Sequence, residues 1–181
     1  MMVGGFFKPL NAQDAKRRTH TVSNTIKTPS DSAVETRYLV MPGHANAFGT
    51  AFGGAIMSWI DMVAAMAAQK HCGREVVTAG IDSVAFEEPV RIGDQVVLLA
   101  CVNYVSKTSM EVGVKVIGEN PCNGTRVTAT RAFLTFVAIN ADHRPVAVPP
   151  LTPQTDEEQR RWNNAALRVK SRKELRQKTV R

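Results

Sequence analysis

One carboxylate interrupts the most apolar stretch of the chain. Asp61 stands near the middle of residues 51–68, which are apolar apart from Asp61 and Ser58. A carboxylate among apolar side chains loses several kcal/mol of hydration free energy unless a partner compensates it. Asp61 is therefore either a general base or nucleophile whose orientation is set by burial, or a structural acid at a subunit interface. The residue types alone leave both interpretations open.

Two glycines stand where an irregular segment leads into this apolar stretch. If a helix begins at Gly53 and Gly54, its first amide N–H groups are free and lie at the positive end of the helix dipole. Such groups can stabilise a developing oxyanion. The simpler interpretation is that the glycines only permit a tight turn into the helix. Asn46 is likewise either a turn residue or an amide that orients a water or a carbonyl.

These residues need a helix and a sheet to position them. Apolar residues nearly encircle a helix predicted from Gly53 to His71, a pattern typical of a buried helix. Strands are predicted over 34–40, 76–86, 94–105, 109–119 and 126–139, from their alternation or their content of Val, Ile, Thr and aromatic residues. Short loops join the last three strands, which makes them antiparallel neighbours. The predicted class is α+β, with the order β-α-β-β-β-β and an antiparallel sheet around one central helix.

Two predicted strands are apolar on both faces. One helix covers one face of a sheet, so the second face of residues 94–105 and 133–139 needs another cover, which predicts an oligomer. The tail begins with Thr155 and Glu158 at capping-box spacing. We expect a C-terminal surface helix there that docks weakly through a thin apolar stripe and ends in a frayed basic segment.

The formal net charge of +7 belongs to the two ends of the chain. Residues 1–30 carry a net charge of +4 and residues 156–181 carry +5, whereas residues 31–155 carry −2. Aromatic residues are only 6% of the chain, so a stacking surface interleaved with positive charge is not expected, and neither is a nucleic-acid partner. The predicted organisation is a flexible basic arm over 1–30, a folded domain over 31–150, and a basic helix and tail over 151–181.

The cysteines and the amino end indicate the compartment. Cys72, Cys101 and Cys122 are odd in number and lack CxxC spacing, which argues for a reducing compartment and against a metal site. The first residues lack the basic segment of a secretory signal, and Asp61 interrupts the stretch that is nearly long enough to cross a bilayer. We expect a cytoplasmic protein without membrane insertion.

Several motifs in order resemble one enzyme family. Residues 41–61, MPGHANAFGTAFGGAIMSWID, look like the opening of the hotdog-fold acyl-CoA thioesterases, which include YciA-type enzymes and cytosolic long-chain acyl-CoA hydrolases. Further matches are VVTA at 76–79, DSV at 82–84, PV at 89–90, YV at 104–105, TSMEV at 108–112 and FLTFVA at 133–138. The resemblance covers the central region, without the basic arm or the end of the tail.

The resemblance implies a hotdog fold, acyl-CoA as the substrate and no cofactor. It implies that Asp61 is catalytic, that Asn46 meets it across a subunit interface, and that the amides of Gly53 and Gly54 bind the thioester carbonyl. The family forms dimers with active sites between the subunits, commonly assembled as a trimer of dimers. The phosphates of CoA need basic or polar groups at the outer entrance of the active site. The candidates are Lys107, Thr108 and Ser109, and the weaker candidates are Arg74, Arg91 and Arg126.

Three other functions remain as alternatives at this point. A hotdog protein can bind acyl-CoA without hydrolysing it, and a basic tail can bind nucleic acid. A hotdog dehydratase usually needs a histidine in the loop or helix, and the predicted helix has none before His71.

Overall fold

The fold consists of one sheet with a helix on each face. The structure is a computed structural model that describes residues 26–82 and 84–179. Within these residues the elements are β1 (Val34–Leu39), α1 (Gly53–Cys72), β2 (Glu75–Ile81), β3 (Ala85–Phe86), β4 (Gln95–Val105), β5 (Ser109–Glu119), β6 (Arg126–Ile139) and α2 (Asp156–Thr179). Single 3₁₀ turns cover Pro29–Ser32 and Pro42–His44.

All strand pairs are antiparallel, in the order β1-β4-β5-β6-β2, and β3 also pairs with β6. The predicted strand over 76–86 is divided into β2 and β3, because the register slips between Thr78 and Gly80 and the ladder is interrupted after Ile81. The predicted class, topology and C-terminal helix are otherwise confirmed.

The inner face of the sheet packs on α1 and holds the core. Ile60, Val63 and Ala67 of the helix are fully buried against alternate residues of β4, β5 and β6, such as Leu98 and Phe136. One side of α1 differs from the prediction of a helix buried all round. Gly54, Ser58, Met62 and Met66 form an exposed stripe at four-residue spacing, because β2 ends the sheet on that side.

The carboxyl end of α1 is tied to the residues that precede β1. Gly73 ends the helix with φ of +62°, a left-handed conformation that favours glycine. Lys27 donates from Nζ to the carbonyl oxygens of Lys70 and His71 at 3.1 and 2.7 Å, which places a cation at the negative end of the helix dipole. The last residues of the predicted arm thus contact the domain, while residues 1–25 lie outside the described part of the chain.

The outer face of the sheet is partly covered by α2. The Oγ1 atom of Thr155 accepts the predicted capping hydrogen bond from the Glu158 amide at 3.2 Å. Farther along, Arg168 and Arg172 each donate to the carboxylate of Glu111 at 2.6 Å, and Arg172 also binds Asp82. The predicted apolar stripe does contact the domain, since the Trp162 ring lies 5.1 Å from that of Tyr104. The ion pairs were not predicted, because the sequence does not reveal that a buried acid on β5 faces these arginines.

Within the described residues, neither helix combines the length and the hydropathy that crossing a membrane requires.

Candidate active site

Asp61 projects from α1 towards the exposed strand β2. The Thr78 hydroxyl on β2 donates to Oδ1 of Asp61 at 2.8 Å. Asp61 is half-buried in the single chain and Thr78 is exposed. Both residues lie at the edge of the sheet formed by β2. Among the described residues, no donor reaches the other carboxylate oxygen, Oδ2. That oxygen is available to a water or a substrate.

The start of α1 presents free amides beside two aromatic rings. Phe52 is the N-cap residue and its side chain makes no cap hydrogen bond. The N–H groups of Gly53 and Gly54 have no acceptor among the described residues, as expected for the first turn of a helix. A Cβ atom on Gly54 would lie 2.4 Å from the Phe52 ring, whereas one on Gly53 would lie 3.4 Å from the Phe86 ring. Glycine at position 54 therefore lets the Phe52 ring lie close to the helix start.

Asn46 organises its own loop. Its Oδ1 accepts from the amides of Phe48 and Thr50 at 2.9 and 3.2 Å, and its Nδ2 donates to the Thr50 hydroxyl at 3.0 Å. Gly49 follows with φ of +72°, a turn geometry that favours glycine. No hydrogen bond joins Asn46 to Asp61 within the described residues of one chain. One of the two N–H bonds of Nδ2 remains free to donate elsewhere.

Lys107, Thr108 and Ser109 line a cavity of about 390 Å³ on the outer face. The cavity also includes Ala79 and Gly80, which follow Thr78 on β2. Two basic residues of α2, Arg172 and Lys173, complete its wall. The predicted CoA-binding residues therefore lie together in a basic cavity that reaches the strand carrying Thr78.

The other basic candidates lie elsewhere. Arg74, Arg91 and Arg126 are absent from the lining of this cavity. Arg126 forms an ion pair with Glu119, and the backbone of Arg91 bridges to Thr50. Within the described residues, no group of three or more His, Cys, Asp or Glu side chains is arranged to hold a metal ion.

Sequence reasoning missed three residues that the structure places at the candidate site, namely Thr78, Arg172 and Lys173. Thr78 lies within the VVTA match, and a hydroxyl in a strand beside a helix carrying one carboxylate is a signal that could have identified it. Arg172 and Lys173 belong to the tail, which the resemblance does not cover. A run of positive charge in such a segment more often forms a solvated surface than a binding site.

Comparison with known proteins finds relatives that are named as thioesterases or thioester hydrolases. Residues 48–122 match the thioesterase superfamily. Over 134 residues the chain is 46% identical to the uncharacterized acyl-CoA thioester hydrolase YkhA of Bacillus subtilis, a match covering 74% of this chain and 78% of that protein. It is 40% identical over 140 residues to mouse acyl-coenzyme A thioesterase 11, a match covering 77% of this chain but only 24% of the mouse protein.

Solved structures show the same fold. An acyl-CoA hydrolase from Staphylococcus aureus, in complex with butyryl-CoA, CoA and CoA disulfide, superposes with a TM-score of 0.80 at 37% identity over 86% of this chain and 94% of that one. Alanine variants of this hydrolase, at one threonine, one aspartate and one asparagine, have similar structures. A hexameric acyl-CoA thioesterase superposes with a TM-score of 0.79 at 40% identity, covering 81% of this chain and 94% of its own.

The fold, the family match and the relatives all indicate the same family. The sheet wraps around one helix. The thioesterase match includes the start of α1, and the match to the bacterial relative covers more than two thirds of that relative's length. The chain belongs to the hotdog-fold acyl-CoA thioesterases.

Proposed function

We propose that this protein hydrolyses acyl-CoA thioesters with Asp61 as its catalytic carboxylate, at a site completed by a second copy of the chain. The observation that carries the proposal is the half-buried Asp61 held by Thr78, with Oδ2 left unpaired among the described residues. The asparagine, aspartate and threonine replaced in the Staphylococcus aureus hydrolase are separated by 15 and 17 positions. Asn46, Asp61 and Thr78 have the same two separations.

In the proposed reaction, the thioester carbonyl lies against the amides of Gly53 and Gly54. Asp61 takes a proton from a water that attacks the carbonyl carbon, or its carboxylate attacks first to form a mixed anhydride that water then hydrolyses. Negative charge developing on the carbonyl oxygen is stabilised at the helix start. In both routes the C–S bond breaks when the first tetrahedral intermediate collapses, which is before any mixed anhydride is hydrolysed. CoA leaves as a thiolate, which is a good leaving group and needs no strong general acid.

A second subunit is proposed because β2 is an unprotected sheet edge. Six of the seven residues of β2 are exposed, including Val77 and Ile81, and Met62 and Met66 of α1 are exposed beside them. The other edge strand, β1, exposes Glu35 and Arg37. Charges of this kind discourage pairing between sheet edges, whereas an apolar edge favours it. We propose a dimer through β2, assembled further as in the hexameric relative.

Asn46 is proposed to enter the active site of the partner subunit. Its carbonyl oxygen is used within its loop, so its free N–H is the group that positions a water or the thioester carbonyl. The CoA end is proposed to lie in the cavity of Lys107, Thr108 and Ser109, with Lys173 as an additional phosphate contact. We expect neither a cofactor nor a metal ion, so activity should survive a chelator.

Two further predictions stay proposals. The domain over 31–150 is proposed to be the catalytic unit, with the arm and the tail helix as additions. The location of the protein in the cytoplasm is also proposed.

The first test replaces the catalytic carboxylate. Asp61→Asn and Asp61→Ala are expected to lower kcat by about a thousandfold in a thiol-release assay, because general-base catalysis contributes about that much. Thermal unfolding and the mass of the assembly should stay unchanged. Asp142→Asn, in the exposed turn after β6, is the matched control and should behave as the wild type. Near-normal turnover by either Asp61 variant would refute the assignment.

The second test asks whether the site is shared. Asp61→Asn and Asn46→Ala are each expected to be inactive alone, but a heterodimer of the two retains one site with both native residues. Random co-assembly should restore about a quarter of the wild-type activity, because an isologous dimer has two equivalent sites. If both residues act within one chain, co-expression restores nothing.

A further inference from the structure

A second cavity lies on the outer face of the sheet, between the strands and α2. Its volume is about 590 Å³, within the range of about 300–1,000 Å³ for small-molecule sites. It shares no residue with the Lys107 cavity and contains none of the residues proposed for thioester hydrolysis. The strand residues Leu99 and Cys101 on its wall alternate with Leu98 and Val102, which face α1.

The cavity contains a buried amide whose nitrogen has no acceptor. Asn103 is 3% exposed and lines the cavity. Its Oδ1 accepts a weak hydrogen bond from the Cys101 thiol at 3.6 Å, but within the described residues Nδ2 donates to nothing. A Cβ atom on Gly113 would lie 2.3 Å from that nitrogen, so glycine is what makes room for the amide. Nδ2 is not itself fully buried, so it is available to donate to a ligand in the cavity that brings an acceptor.

The cavity also attracts negative charge. Its lining contains more basic than acidic side chains, namely Lys115, Arg131, Arg160, Arg161 and Arg168 against Glu35 and Glu157. Arg160 and Arg168 already bind carboxylates. Arg161 lies beside Glu157, with Nε 3.6 Å from Oε1, and directs Nη1 at the Cys101 sulfur, 3.3 Å away. A thiol is a weak acceptor, so an anion in the cavity would bind Arg161 more favourably.

The remaining wall suits an aliphatic group. Leu99 contributes an apolar side chain that is 37% exposed, whereas Val34 and Val114 pair with Ala100 on the face that packs on α1. Among the residues that the structure describes, Phe133 is the only aromatic residue on the wall, and the Arg168 guanidinium covers its ring at 3.6 Å from the centroid. No aromatic face is therefore left on this wall for stacking a nucleotide base.

We propose that this cavity binds an amphipathic carboxylate, with its alkyl chain on Leu99 and its head group bound by Asn103 and Arg161. A planar carboxylate matches the parallel N–H groups of a guanidinium. Acids of this chemical class are what thioester hydrolysis releases. Binding at this cavity does not depend on the proposed catalytic function, because the two sites share no residue.

Cys101 makes occupancy measurable. The probe is dodecanoate, and the readout is the rate of iodoacetamide alkylation at each cysteine, measured by peptide mass spectrometry. Labelling is done near pH 9, because burial raises the pKa of the Cys101 thiol.

The exposed Cys122 is an internal reference, and the buried Cys72 reports any unfolding. Saturating dodecanoate should slow alkylation of Cys101 about tenfold and leave Cys122 unchanged. Acetate and dodecyltrimethylammonium should protect neither.

Variants then locate the head group. Arg161→Gln should weaken protection about tenfold, the effect expected for loss of a charge-assisted hydrogen bond, with each variant compared with its own ligand-free rate. Lys115→Glu changes an exposed side chain, is expected to fold, and should also weaken protection. Asp61→Asn should keep full protection, so a failure of the catalytic proposal is distinguishable from a failure of this one.

Three outcomes would overturn the proposal. The first is the absence of protection by dodecanoate up to its solubility limit. The second is equal protection by the cationic amphiphile, or unchanged protection in both Arg161→Gln and Lys115→Glu. The third is a Cys101 that stays unlabelled without ligand while Cys122 reacts, because another copy of the chain would then cover the cavity.

Discussion

Thr78 donates a hydrogen bond from Oγ1 to Oδ1 of Asp61 at 2.8 Å, joining strand β2 to helix α1. This contact orients the carboxylate through one oxygen and leaves the other without a donor among the described residues. The strand that fixes the carboxylate is also the strand whose outer edge is exposed. The proposed catalytic carboxylate and the proposed dimer interface therefore both involve β2.

Replacing Thr78 should reduce turnover more than substrate binding. Thr78→Val keeps the shape of the side chain but removes the donor, and should lower kcat by about tenfold or more, since hydrogen bonds to charged groups are worth about 1.5–3 kcal/mol. Thr78→Ser keeps the hydroxyl and should retain most activity. Steady-state thiol release with one acyl-CoA measures both. A Thr78→Val enzyme with normal kcat would show that the contact is only structural.

Reversing the charge of Lys107 should weaken CoA binding. Lys107→Glu places a negative charge in the proposed phosphate cavity, and KM for acyl-CoA should rise about tenfold, in keeping with loss of a charge-assisted contact, while kcat stays close to normal. Arg126→Glu is the control, because Arg126 lies outside this cavity. The effect should shrink as salt is added. An unchanged KM at low salt would remove Lys107 from the site.

The ion pairs beneath α2 should make a measurable contribution to stability. Glu111 is fully buried, whereas its partners Arg168 and Arg172 are about a quarter exposed. Glu111→Gln should lower the free energy of unfolding by about 3 kcal/mol, the lower end for breaking a buried ion pair, because the exposed parts of the arginines remain hydrated. Urea unfolding measures the change. Glu157→Gln, which breaks solvent-exposed pairs, should not shift the midpoint measurably, and equal losses in the two variants would contradict the prediction.

Stability should fall as the pH drops below about 6.5, the ordinary pKa of histidine. Burial lowers the pKa of His71, and its hydrogen bond with the Pro149 carbonyl only partly opposes this. The unfolded chain then binds a proton that the folded chain excludes, so stability is full above the unfolded pKa and declines below it. Urea unfolding between pH 5 and 8 should show this decline in the wild type, and His71→Gln should flatten it. An identical pH profile in the variant would assign the effect to other groups.

The parts of the fold that depend on local sequence were predictable. Short turns fix antiparallel neighbours, apolar residues mark α1, and the spacing of Thr155 and Glu158 marks the start of α2. The pairing of Glu111 with Arg168 and Arg172 was not predictable, because it joins residues 57 and 61 positions apart. The exposed stripe on α1 was missed for a related reason, since a helical pattern shows which residues are apolar but not where the sheet ends.

The candidate site was predicted in part. Asp61 was identifiable as a charge in an apolar helix, and Gly53 and Gly54 by their place at the helix start. Thr78 becomes visible only once β2 is placed beside α1. The loop of Asn46 follows from turn chemistry, but a role in a neighbouring subunit cannot be read from one chain.

The exposed edge of β2 affects the solubility of the protomer before it assembles. A row of unpaired N–H and C=O groups beside apolar side chains is a template on which a foreign strand can grow, and such edges promote aggregation. In the proposed dimer, pairing with the correct partner would remove that template and, in the same event, bring Asn46 to Asp61. If the proposed dimer is correct, a single protomer would be both inactive and prone to aggregate, so rapid association would protect solubility as well as activity.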